Sequence, residues 1–567
     1  MNRQDALETL RKNPDIPVLI IGGGINGIGT FHDLALQGVD AVLVERDDFC
    51  SGASAASSHM AHGGIRYLEN GEFRLVKEAL RERNRLLRNA PHYVKPLPTT
   101  IPIFKWFSGI FNAPFKFLGW LDKPSERGVL VIKIGMMLYD WYVRDFRIMP
   151  THKLLNRAES LKQYPKLNPE VRYTATYYDG LVTTPERLAL EMALDAESLN
   201  PDARALNYIS VIGRDGKSIR LRDELTGETI EVRPQVVVNA AGPWIDFANK
   251  AMGEKTHFIG GTKGSHLVLA HEELRKTISD HEFFFENQDG RIVLILPYFD
   301  RVIVGTSDIP VDNPDEAQIT EEEIEYFLGM IHRVFPRIQV DRSHIVFGFT
   351  GVRPLPAAKA VTTGQISRDH HIEVIEPDQN GPFPILNLVG GKWTTFRAFS
   401  EEAADEVLKQ LDIPRKHDTT DLPIGGGKEF PESEIDVKQW LTNICAATGV
   451  SEERLAILLN RYGTRAADMA GYIGVADDDP LLYAPGYSRR EIEFLAKSEK
   501  VRHLADLLLR RTLLGMLGRL TYVLIEETAA ITGNALGWSE AQQHEEIKMV
   551  VSALEQNYLA PTLVVSG

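Results

Sequence analysis

The chain of 567 residues is too long for one simple hydrophobic core, so two or three domains are expected. With 43% hydrophobic and 25% charged residues its composition is ordinary for a globular protein, and its formal net charge of −15 argues against nucleic acid as the main partner. Its two cysteines, Cys50 and Cys445, form no metal-binding pattern, so no metal site is predicted and a reducing compartment is favoured. The polar stretch MNRQDALETLRKNP at the start has no apolar segment, which predicts no secretory signal and a cytoplasmic location.

A glycine-rich turn follows the first predicted strand, PVLII at residues 17–21, and opens a predicted helix. Three of its glycines have the spacing GxGxxG: Gly22, Gly24 and Gly27. Such glycines permit a tight turn and let the backbone approach a pyrophosphate at the helix N-terminus. Glu45 lies in the next predicted strand, residues 40–46, at the position where an acid takes ribose hydroxyls. The order of strand, turn, helix, strand and acid favours a dinucleotide site over an ordinary glycine-rich turn.

Small residues and glycines continue after Glu45. Residues 51–58, SGASAASS, cannot pack a core and suit backbone that lies along a ribityl chain and a flavin ring. In AHGGIRYLENGEF, residues 61–73, two glycines precede an arginine and a tyrosine, and their entropic cost indicates a close approach of backbone. The apolar spacing of residues 72–89 predicts a helix. This stretch favours FAD over a nicotinamide cofactor. A nicotinamide enzyme would usually continue with further strand–helix units at this point.

The remaining predicted elements change character along the chain. Residues 207–240 alternate in polarity and predict a β-meander that ends in VVVNAAGPW, and residues 263–310 predict further strands with a hairpin at YFDR. VLVIKIGMMLYDWYV, residues 129–143, predicts a core helix. Helical patterns dominate from about residue 430, and PIGGGKEFP, residues 423–431, is the predicted linker.

The nucleotide-binding part is therefore interrupted, because NAAGPW returns to it some 190 residues after Glu45. This layout resembles the two-domain flavoproteins of the glutathione reductase and D-amino acid oxidase type. The resemblance implies an α/β fold with a split Rossmann-like FAD domain, a β-sheet substrate cap and a helical C-terminal domain. The expected intervals are 1–425 for the oxidoreductase region, with the FAD domain at about 1–105, 170–250 and 340–425 and the cap mainly at 106–169 and 251–339, and 426–567 for the helical domain.

Eight short motifs occur in order: SSHMAHGGIRYLE, YYDGLV, NAAGPW, TKGSH, GTSD, GVRPL, SRD and GGKWTTFR. Together they resemble the FAD-dependent sn-glycerol-3-phosphate dehydrogenases of the aerobic, quinone-linked kind, over essentially the whole chain. In one departure, His59, Met60 and Ala61 replace the lysine, leucine and isoleucine that usually precede HGG in that family. The resemblance implies hydride transfer from C2 of glycerol 3-phosphate to N5 of a non-covalently bound FAD, with dihydroxyacetone phosphate as product and quinone as acceptor.

Glycerol 3-phosphate carries about two negative charges at neutral pH, so its pocket needs cations and hydrogen-bond donors. Adjacent glycines favour this role for Arg353 in GVRP and Lys392 in GGK, over the surface ion pairs that most such residues make. For Arg368 in SRD the residues alone leave both roles open. The resemblance implies that Arg368 does line the pocket, together with Arg66, Tyr67, Thr306 and His266.

The glycine turn and the resemblance together imply a set of residues around FAD. These are Gly22, Gly24, Gly27, Glu45, Ser57, Ser58, His62, Gly63, Gly64, Ala241, Gly242, Trp244 and Gly391. Within the opening motif, Gly63 and Gly64 are expected to face the flavin, and Arg66 the substrate.

Oxidation of the substrate also needs a base for the hydroxyl proton. His266 in TKGSH is the first candidate, because positive neighbours keep an imidazole neutral. The alternative for His266 is a tether between strands of the cap. His62 is the second candidate for the base, and hydrogen bonding to the flavin is its alternative role.

Residues 101–121, IPIFKWFSGIFNAPFKFLGWL, are rich in aromatic side chains. Asn112, Pro114 and two lysines interrupt the apolar run, which makes it a poor membrane-spanning helix. Trp, Phe and Lys together suit a segment that lies in the membrane interface, and a lipid-dissolved quinone agrees with this. The expected location is therefore peripheral, on the cytoplasmic face of the cell membrane. An aromatic loop packed on the protein core is the alternative.

Two other functions compete with the dehydrogenase. A glycerol-3-phosphate oxidase would pass electrons to oxygen, and a related flavin oxidoreductase would act on another small anionic substrate. A flavin- or nucleotide-binding scaffold without turnover would not need the predicted set of cations. The helical C-terminal region shows no chemistry of its own, and the sequence leaves open whether it caps the fold or supports a homodimer.

Overall fold

The computed structural model describes residues 3–64, 72–104, 129–142, 144, 148–287, 292–357, 369–379 and 381–560. Within these ranges two large sheets form, one around the first strand of the chain and one mainly from later segments. Helices dominate after residue 430. The predicted α/β class, with a split sheet domain, a second β-sheet domain and a helical C-terminal region, is confirmed.

The first sheet is built around Asp15–Ile21, which pairs in parallel with Ala41–Glu45 on one side and Thr229–Asn239 on the other. Helices Ile25–Leu36 and Pro185–Leu199 pack on this sheet, and burial of this kind explains the nearly continuous apolar run of the first strand. The order of neighbouring strands is His371–Ile375, Ile385–Val389, Thr229–Asn239, Asp15–Ile21, Ala41–Glu45 and Arg204–Asn207, with Ser218–Asp223 and Ile209–Asp215 attached to Thr229–Asn239.

The second sheet is mostly antiparallel. The predicted YFDR hairpin joins Ile292–Tyr298 to Arg301–Gly305, and Thr262–Leu269 lies between Arg301–Gly305 and Ile345–Arg353. The order along the sheet is Ile309–Pro310, Thr262–Leu269, Arg301–Gly305, Ile292–Tyr298, Glu282–Glu286, Val94–Ile103, Tyr173–Val182 and Met60–Ala61, with Lys153–Asn156 also paired to Tyr173–Val182.

The sheets divide the chain differently from the expected intervals. Val94–Ile103, Tyr173–Val182 and Ile345–Arg353 pair in the second sheet, although the intervals expected for the FAD domain include them. Their pairing partners are distant in the chain, and the local polarity pattern of a strand does not reveal them.

Further helices surround the two sheets. They are Arg3–Lys12, Phe73–Asn89, Val129–Tyr142, Arg157–Gln163, Ile245–Ala251, Glu272–Ile278, Glu321–Val334 and Phe396–Gln410. Val129–Tyr142 is a helix as predicted, but it is not wholly in the core: Met136 and Tyr139 are buried, whereas Met137 and Trp141 are 55% and 60% exposed. Among the helices of the described ranges, none is both long and apolar enough to cross a bilayer.

The C-terminal region packs against the second sheet, because its buried side chains share one hydrophobic cluster with Leu294 and Phe347. The predicted linker is packed as well: Gly426 and Gly427 are buried, and a Cβ on Gly426 would overlap the carbonyl of Tyr462. The helices are Glu434–Thr448, Glu452–Tyr462, Ala466–Ile473, Arg489–Ser498, Leu504–Asp506, Tyr522–Leu536 and Glu540–Asn557, with a π-helical turn at Leu507–Arg511.

Candidate active site

The GxGxxG turn has the backbone geometry that its glycines predict. Gly22 has φ of +108°, its N–H donates to the carbonyl of Val44 at 2.8 Å, and a Cβ there would lie 2.5 Å from the carbonyl oxygen of Ala240. A Cβ on Gly27 would overlap the carbonyl of Gly22, so this position also requires glycine. Gly24 is the N-cap residue of the helix Ile25–Leu36 and, as a glycine, has no side chain to cap that end. This helix N-terminus suits a pyrophosphate.

Glu45 holds the same turn. Its Oε2 accepts the N–H of Gly23 at 2.6 Å, and its Oε1 accepts the N–H of Asp47 at 3.0 Å. Burial raises the pKa of Glu45, while these two N–H groups act in the opposite direction. Each carboxylate oxygen keeps acceptor capacity, so the predicted bond to a ribose hydroxyl is compatible with this arrangement.

The small-residue stretch runs beside the helix N-terminus. Ser54 Oγ accepts the N–H of Ile25 at 2.9 Å, and the Ser54 carbonyl accepts the indole N–H of Trp393 at 2.8 Å. The buried Oδ1 of Asn26 has no hydrogen-bond partner among the described residues, and a Cβ on Gly391, which has φ of +91°, would lie 2.5 Å from Asn26 Nδ2. The orphaned acceptor of Asn26, beside the helix N-terminus, fits a polar ligand such as FAD here.

The predicted base, His266, lies in the second sheet. Its Nε2 is 2.9 Å from Ser58 Oγ, its ring stacks on Phe349 with centroids 4.8 Å apart, and a Cβ on Gly305 would overlap it. Its Nδ1 has no hydrogen-bond partner within the described ranges. Burial, and then the charge of Arg353, lower the pKa of His266 well below 6.5, so the imidazole is neutral at physiological pH.

Arg353 lies at the end of its strand, next to this histidine. Its Nη2 donates to Thr306 Oγ1 at 2.8 Å and to the Ser307 carbonyl at 3.0 Å, and its Nη1 is 3.4 Å from Asp308 Oδ1. A Cβ on Gly264 would overlap the guanidinium, which explains the glycine in TKGSH. The structure thus brings together three predicted substrate-site residues, His266, Thr306 and Arg353.

The HGG motif lies between the glycine turn and the cluster that contains His266 and Arg353. The N–H of His62 donates to Thr394 Oγ1 at 3.0 Å, and the N–H of Gly63 donates to Asp179 Oδ1 at 3.0 Å. A Cβ on Gly63 would overlap Leu80 and Tyr139, so protein packing requires this glycine, a reason not anticipated from the sequence. Gly64 has φ of +69°, which favours glycine for its backbone conformation.

The other predicted residues lie around the same region. Lys392 is half-buried and directly follows Gly391. Ser57 Oγ accepts the N–H of His59 at 3.2 Å. Trp244 follows Ala241 and Gly242, and its indole N–H donates to Asp315 Oδ1 at 2.9 Å, while Arg46 lies 4.6 Å over its ring.

Three predicted substrate residues, Arg66, Tyr67 and Arg368, lie outside the described residues, as do positions 105–121 of the aromatic segment. Sequence reasoning missed Asp179, Ser54 and Asn26. Asp179 stands inside the quoted motif YYDGLV, which was its only signal. The contacts of Ser54 and Asn26 depend on tertiary structure and left no pattern in the chain.

Residues 54–62 join the two parts into one site. Ser54 contacts the helix N-terminus of the first sheet, and Ser58 contacts His266 of the second. A Cβ on Gly351 would lie 2.6 Å from Ala56 Cβ, so this stretch packs directly on the second sheet. The site therefore lies between a dinucleotide-binding turn and a cluster that contains a neutral imidazole and a guanidinium.

Comparisons with known proteins agree with this geometry. Residues 17–375 match the family of FAD dependent oxidoreductases, and residues 417–543 match the C-terminal domain of alpha-glycerophosphate oxidase. The chain is therefore an FAD-dependent oxidoreductase, and FAD is its cofactor, as predicted.

Individual relatives show which family of FAD-dependent oxidoreductases the chain belongs to. The chain is 32% identical over 571 residues to a glycerol-3-phosphate dehydrogenase of Synechocystis sp., covering 96% of this chain and 97% of that protein. It is 31% identical to the probable mitochondrial glycerol-3-phosphate dehydrogenase of Dictyostelium discoideum. This match covers 99% of this chain and 86% of that protein. The fold is shared with the glycerol-3-phosphate dehydrogenase of Bacillus halodurans, whose structure was solved with FAD. The TM-score is 0.73 at 22% identity, and the match covers 100% of this chain and 99% of that chain. The chain belongs to the glycerol-3-phosphate dehydrogenase family, which confirms the resemblance read from the motifs.

Proposed function

We propose that this protein oxidises sn-glycerol 3-phosphate to dihydroxyacetone phosphate and that the electrons pass to a membrane quinone. The observation that carries the proposal is the placement of Arg353, Thr306 and a neutral His266 in one cluster, joined by residues 54–62 to the FAD-binding turn. FAD, when bound, supplies the acceptor for the hydride from C2. The names of the relatives support the choice of substrate.

In this proposal the cations hold the phosphate. Arg353 is preorganised by Thr306 and the Ser307 carbonyl, so little side-chain freedom is lost when it binds an anion. Lys392, Arg66 and Arg368 are proposed as further cations of the pocket. Tyr67 is proposed as a hydrogen-bond donor.

His266 is the proposed base for the C2 hydroxyl proton. Its imidazole is neutral at physiological pH, and Ser58 Oγ fixes one ring nitrogen at 2.9 Å. The second nitrogen, Nδ1, has no partner among the described residues and supplies acceptor capacity in the tautomer that protonates Nε2. His62 remains the alternative base.

A lipid contact is proposed for residues 101–121. Residues 101–103 end the strand Val94–Ile103, and Ile103 shares a hydrophobic cluster with the helix Val129–Tyr142, which exposes Met137 and Trp141 at 55% and 60%. These two large apolar side chains lie four positions apart, on one face of the helix, and support a surface that enters the membrane interface. We propose a peripheral membrane location for this reason, and we keep the cytoplasmic face as the prediction made from the sequence.

An oxidase is the second candidate, because residues 417–543 match a domain described for alpha-glycerophosphate oxidase. The two functions share substrate and cofactor and differ only in the acceptor. Peroxide yield in air, measured against the rate of reduction of a lipid-dissolved quinone in vesicles, separates them. Stoichiometric peroxide without quinone reduction would replace the proposed dehydrogenase by the oxidase.

The substrate is tested by anaerobic bleaching of the flavin absorbance with a panel of phosphorylated polyols. Glycerol 3-phosphate should bleach it fastest, and bleaching by another anion alone would mean that the proposed substrate is wrong.

The membrane contact is tested by changing Trp106, Phe107, Phe111 and Trp120 together to Ser. The variant should no longer bind liposomes and should no longer reduce a lipid-dissolved quinone. Glycerol 3-phosphate should still bleach its flavin. A variant that still sediments with vesicles would rule this segment out as the anchor, and one that loses FAD would assign the aromatics to the core.

A further inference from the structure

We propose that the C-terminal helical region positions the FAD-binding turn through a buried latch formed by Asp48, Arg510 and Arg511. The three residues are positioning residues, since they act on FAD through the backbone of the turn. This gives the helical region a part in cofactor binding, although it lies outside the dinucleotide-binding sheet.

The latch is centred on Asp48, whose side chain is fully buried. Arg511 Nη1 donates to Asp48 Oδ2 at 2.7 Å, and Arg511 Nη2 donates to Oδ1 at 2.8 Å. Arg510 Nε donates to Oδ2 at 2.6 Å, and Asn207 Nδ2 donates to Oδ1 at 3.0 Å. Two-pronged pairing of this kind fixes both distance and orientation of the carboxylate. Four donors therefore hold one carboxylate, and two arginines provide three of them.

Asp48 transmits this position to the glycine turn over a few bonds. It follows Glu45 by three residues, and its own carbonyl accepts the N–H of Ser51 at 3.2 Å. Cys50, in the same short turn, donates its N–H to the carbonyl of Gly23 at 2.9 Å. The N–H of Gly23 in turn donates to Glu45 Oε2. A displacement of Asp48 must therefore disturb the hydrogen bonds on both sides of Gly23.

The arginines are held from their own side. Arg511 Nε donates to the Glu499 carbonyl at 3.0 Å, and Arg510 Nη2 donates to Asp506 Oδ1 at 2.7 Å. Both lie in the π-helical turn Leu507–Arg511, a rare backbone form that is frequently found at functional sites. Burial alone would raise the pKa of Asp48, but Arg511 and Arg510 lower it below its ordinary value, so the carboxylate is charged.

The experiment compares Arg511→Met with a matched control, Arg461→Met. Arg461 Nη1 donates to Glu491 Oε1 at 2.8 Å, an ion pair that lies within the helical region. We expect Arg511→Met to raise the dissociation constant of FAD at least ~10-fold, measured by flavin fluorescence on release, because charged hydrogen bonds are lost. The rise in Tm that added FAD produces should shrink in parallel, since that rise reports affinity for the folded state.

The control should lower Tm with and without FAD and leave the FAD dissociation constant within ~2-fold of wild type. Arg511→Lys, which keeps the charge but not the two-pronged geometry, should fall between wild type and Arg511→Met. A folded Arg511→Met protein with lowered Tm and unchanged FAD affinity would overturn the proposal and leave the latch as a stabilising contact only. If Arg511→Met does not fold, the near-isosteric Asp48→Asn is judged by the same two measurements.

Discussion

Asp179 Oδ1 accepts the backbone N–H of Gly63 at 3.0 Å and so joins the motif YYDGLV to the motif HGGIRY. The same oxygen accepts the hydroxyl of Tyr139 at 2.5 Å and Arg83 Nη1 at 3.1 Å, and the carboxylate is almost completely buried. One carboxylate therefore fixes the backbone between the FAD-binding turn and the proposed substrate pocket. The glycine at 63 is needed because Leu80 and Tyr139 fill the space of a Cβ.

Asp179→Asn should reduce kcat/KM for glycerol 3-phosphate at least ~10-fold while FAD stays bound. The substitution keeps the shape but removes the charge that faces Arg83, and it weakens the bond to Gly63. Steady-state kinetics on flavin-loaded protein measure the effect. Asp300→Asn, at the exposed hairpin of the second sheet, is the control and should leave kcat/KM within ~2-fold. Equal kinetics in both variants would show that Gly63 is held by packing alone.

Arg353→Met should lower kcat/KM at least ~10-fold, because a preorganised cation for the substrate phosphate is lost. FAD content, read from the absorbance ratio of flavin to protein, should not change. Arg275→Met removes an arginine of the same domain that donates to the Phe299 carbonyl at 2.7 Å, and it serves as the control. A flavin-loaded Arg353→Met enzyme with wild-type kinetics would place Arg353 outside the pocket.

The sequence predicted those parts of the site that depend on local backbone. The glycines at 22, 24 and 27 predict a strand–turn–helix, which the structure contains. Glu45 is predicted at the end of the next strand, and the structure places it there. The family motifs also placed His266 and Arg353 in the same pocket, and the structure brings these two side chains together.

Contacts between distant segments could not be predicted. Asp48 and Arg511 are 463 residues apart, and each looks like an ordinary charged residue in its own stretch. Residues 94–103 and 345–353 fall in the intervals expected for the FAD domain, but they pair in the second sheet, since the local sequence of a strand does not specify its partner. Tertiary pairing, rather than local propensity, decides both cases.

The low pKa of His266 predicts a flat pH profile above pH 6.5. A base must be unprotonated, so the rate of flavin reduction rises with pH through its pKa and is then constant. Burial and Arg353 hold that pKa well below 6.5, so the rising limb should lie at acid pH. In Arg353→Met the limb should move to higher pH, because a positive neighbour is removed. The rate at saturating substrate, measured by anaerobic stopped flow, tests this shift.

His266→Asn provides the complementary measurement. It should slow flavin reduction at least ~10-fold and abolish the limb, since Asn does not titrate. Ser58→Ala, which removes only the hydroxyl 2.9 Å from Nε2, should keep the limb with a smaller loss of rate. An unchanged rate and profile in His266→Asn would transfer the role of base to His62.

Glu282 should make the protein less stable as pH rises. Its side chain is fully buried in the strand Glu282–Glu286, Thr99 Oγ1 donates to its Oε2 at 2.9 Å, and its Oε1 has no hydrogen-bond partner in the described ranges. Burial raises its pKa from 4.5 to about 8, with Thr99 acting in the opposite direction. The folded state therefore holds a proton between these two pH values that the unfolded state has released. Its contribution to stability is present in full below pH 4.5 and is lost as pH rises through 8.

Glu282→Gln should remove this dependence, because the amide carries no charge and still offers an oxygen to Thr99. At pH 5 the free energies of unfolding of variant and wild type should be similar, and the variant should gain stability over wild type up to pH 9. Each unit of pKa difference contributes roughly 1.4 kcal/mol, so the gain at pH 9 should be a few kcal/mol, enough to measure by urea unfolding. Glu325→Gln, at an exposed position of the helix Glu321–Val334, should show no such trend. Stability curves of Glu282→Gln and wild type that run parallel from pH 5 to 9 would mean that Glu282 is ionised in the folded protein.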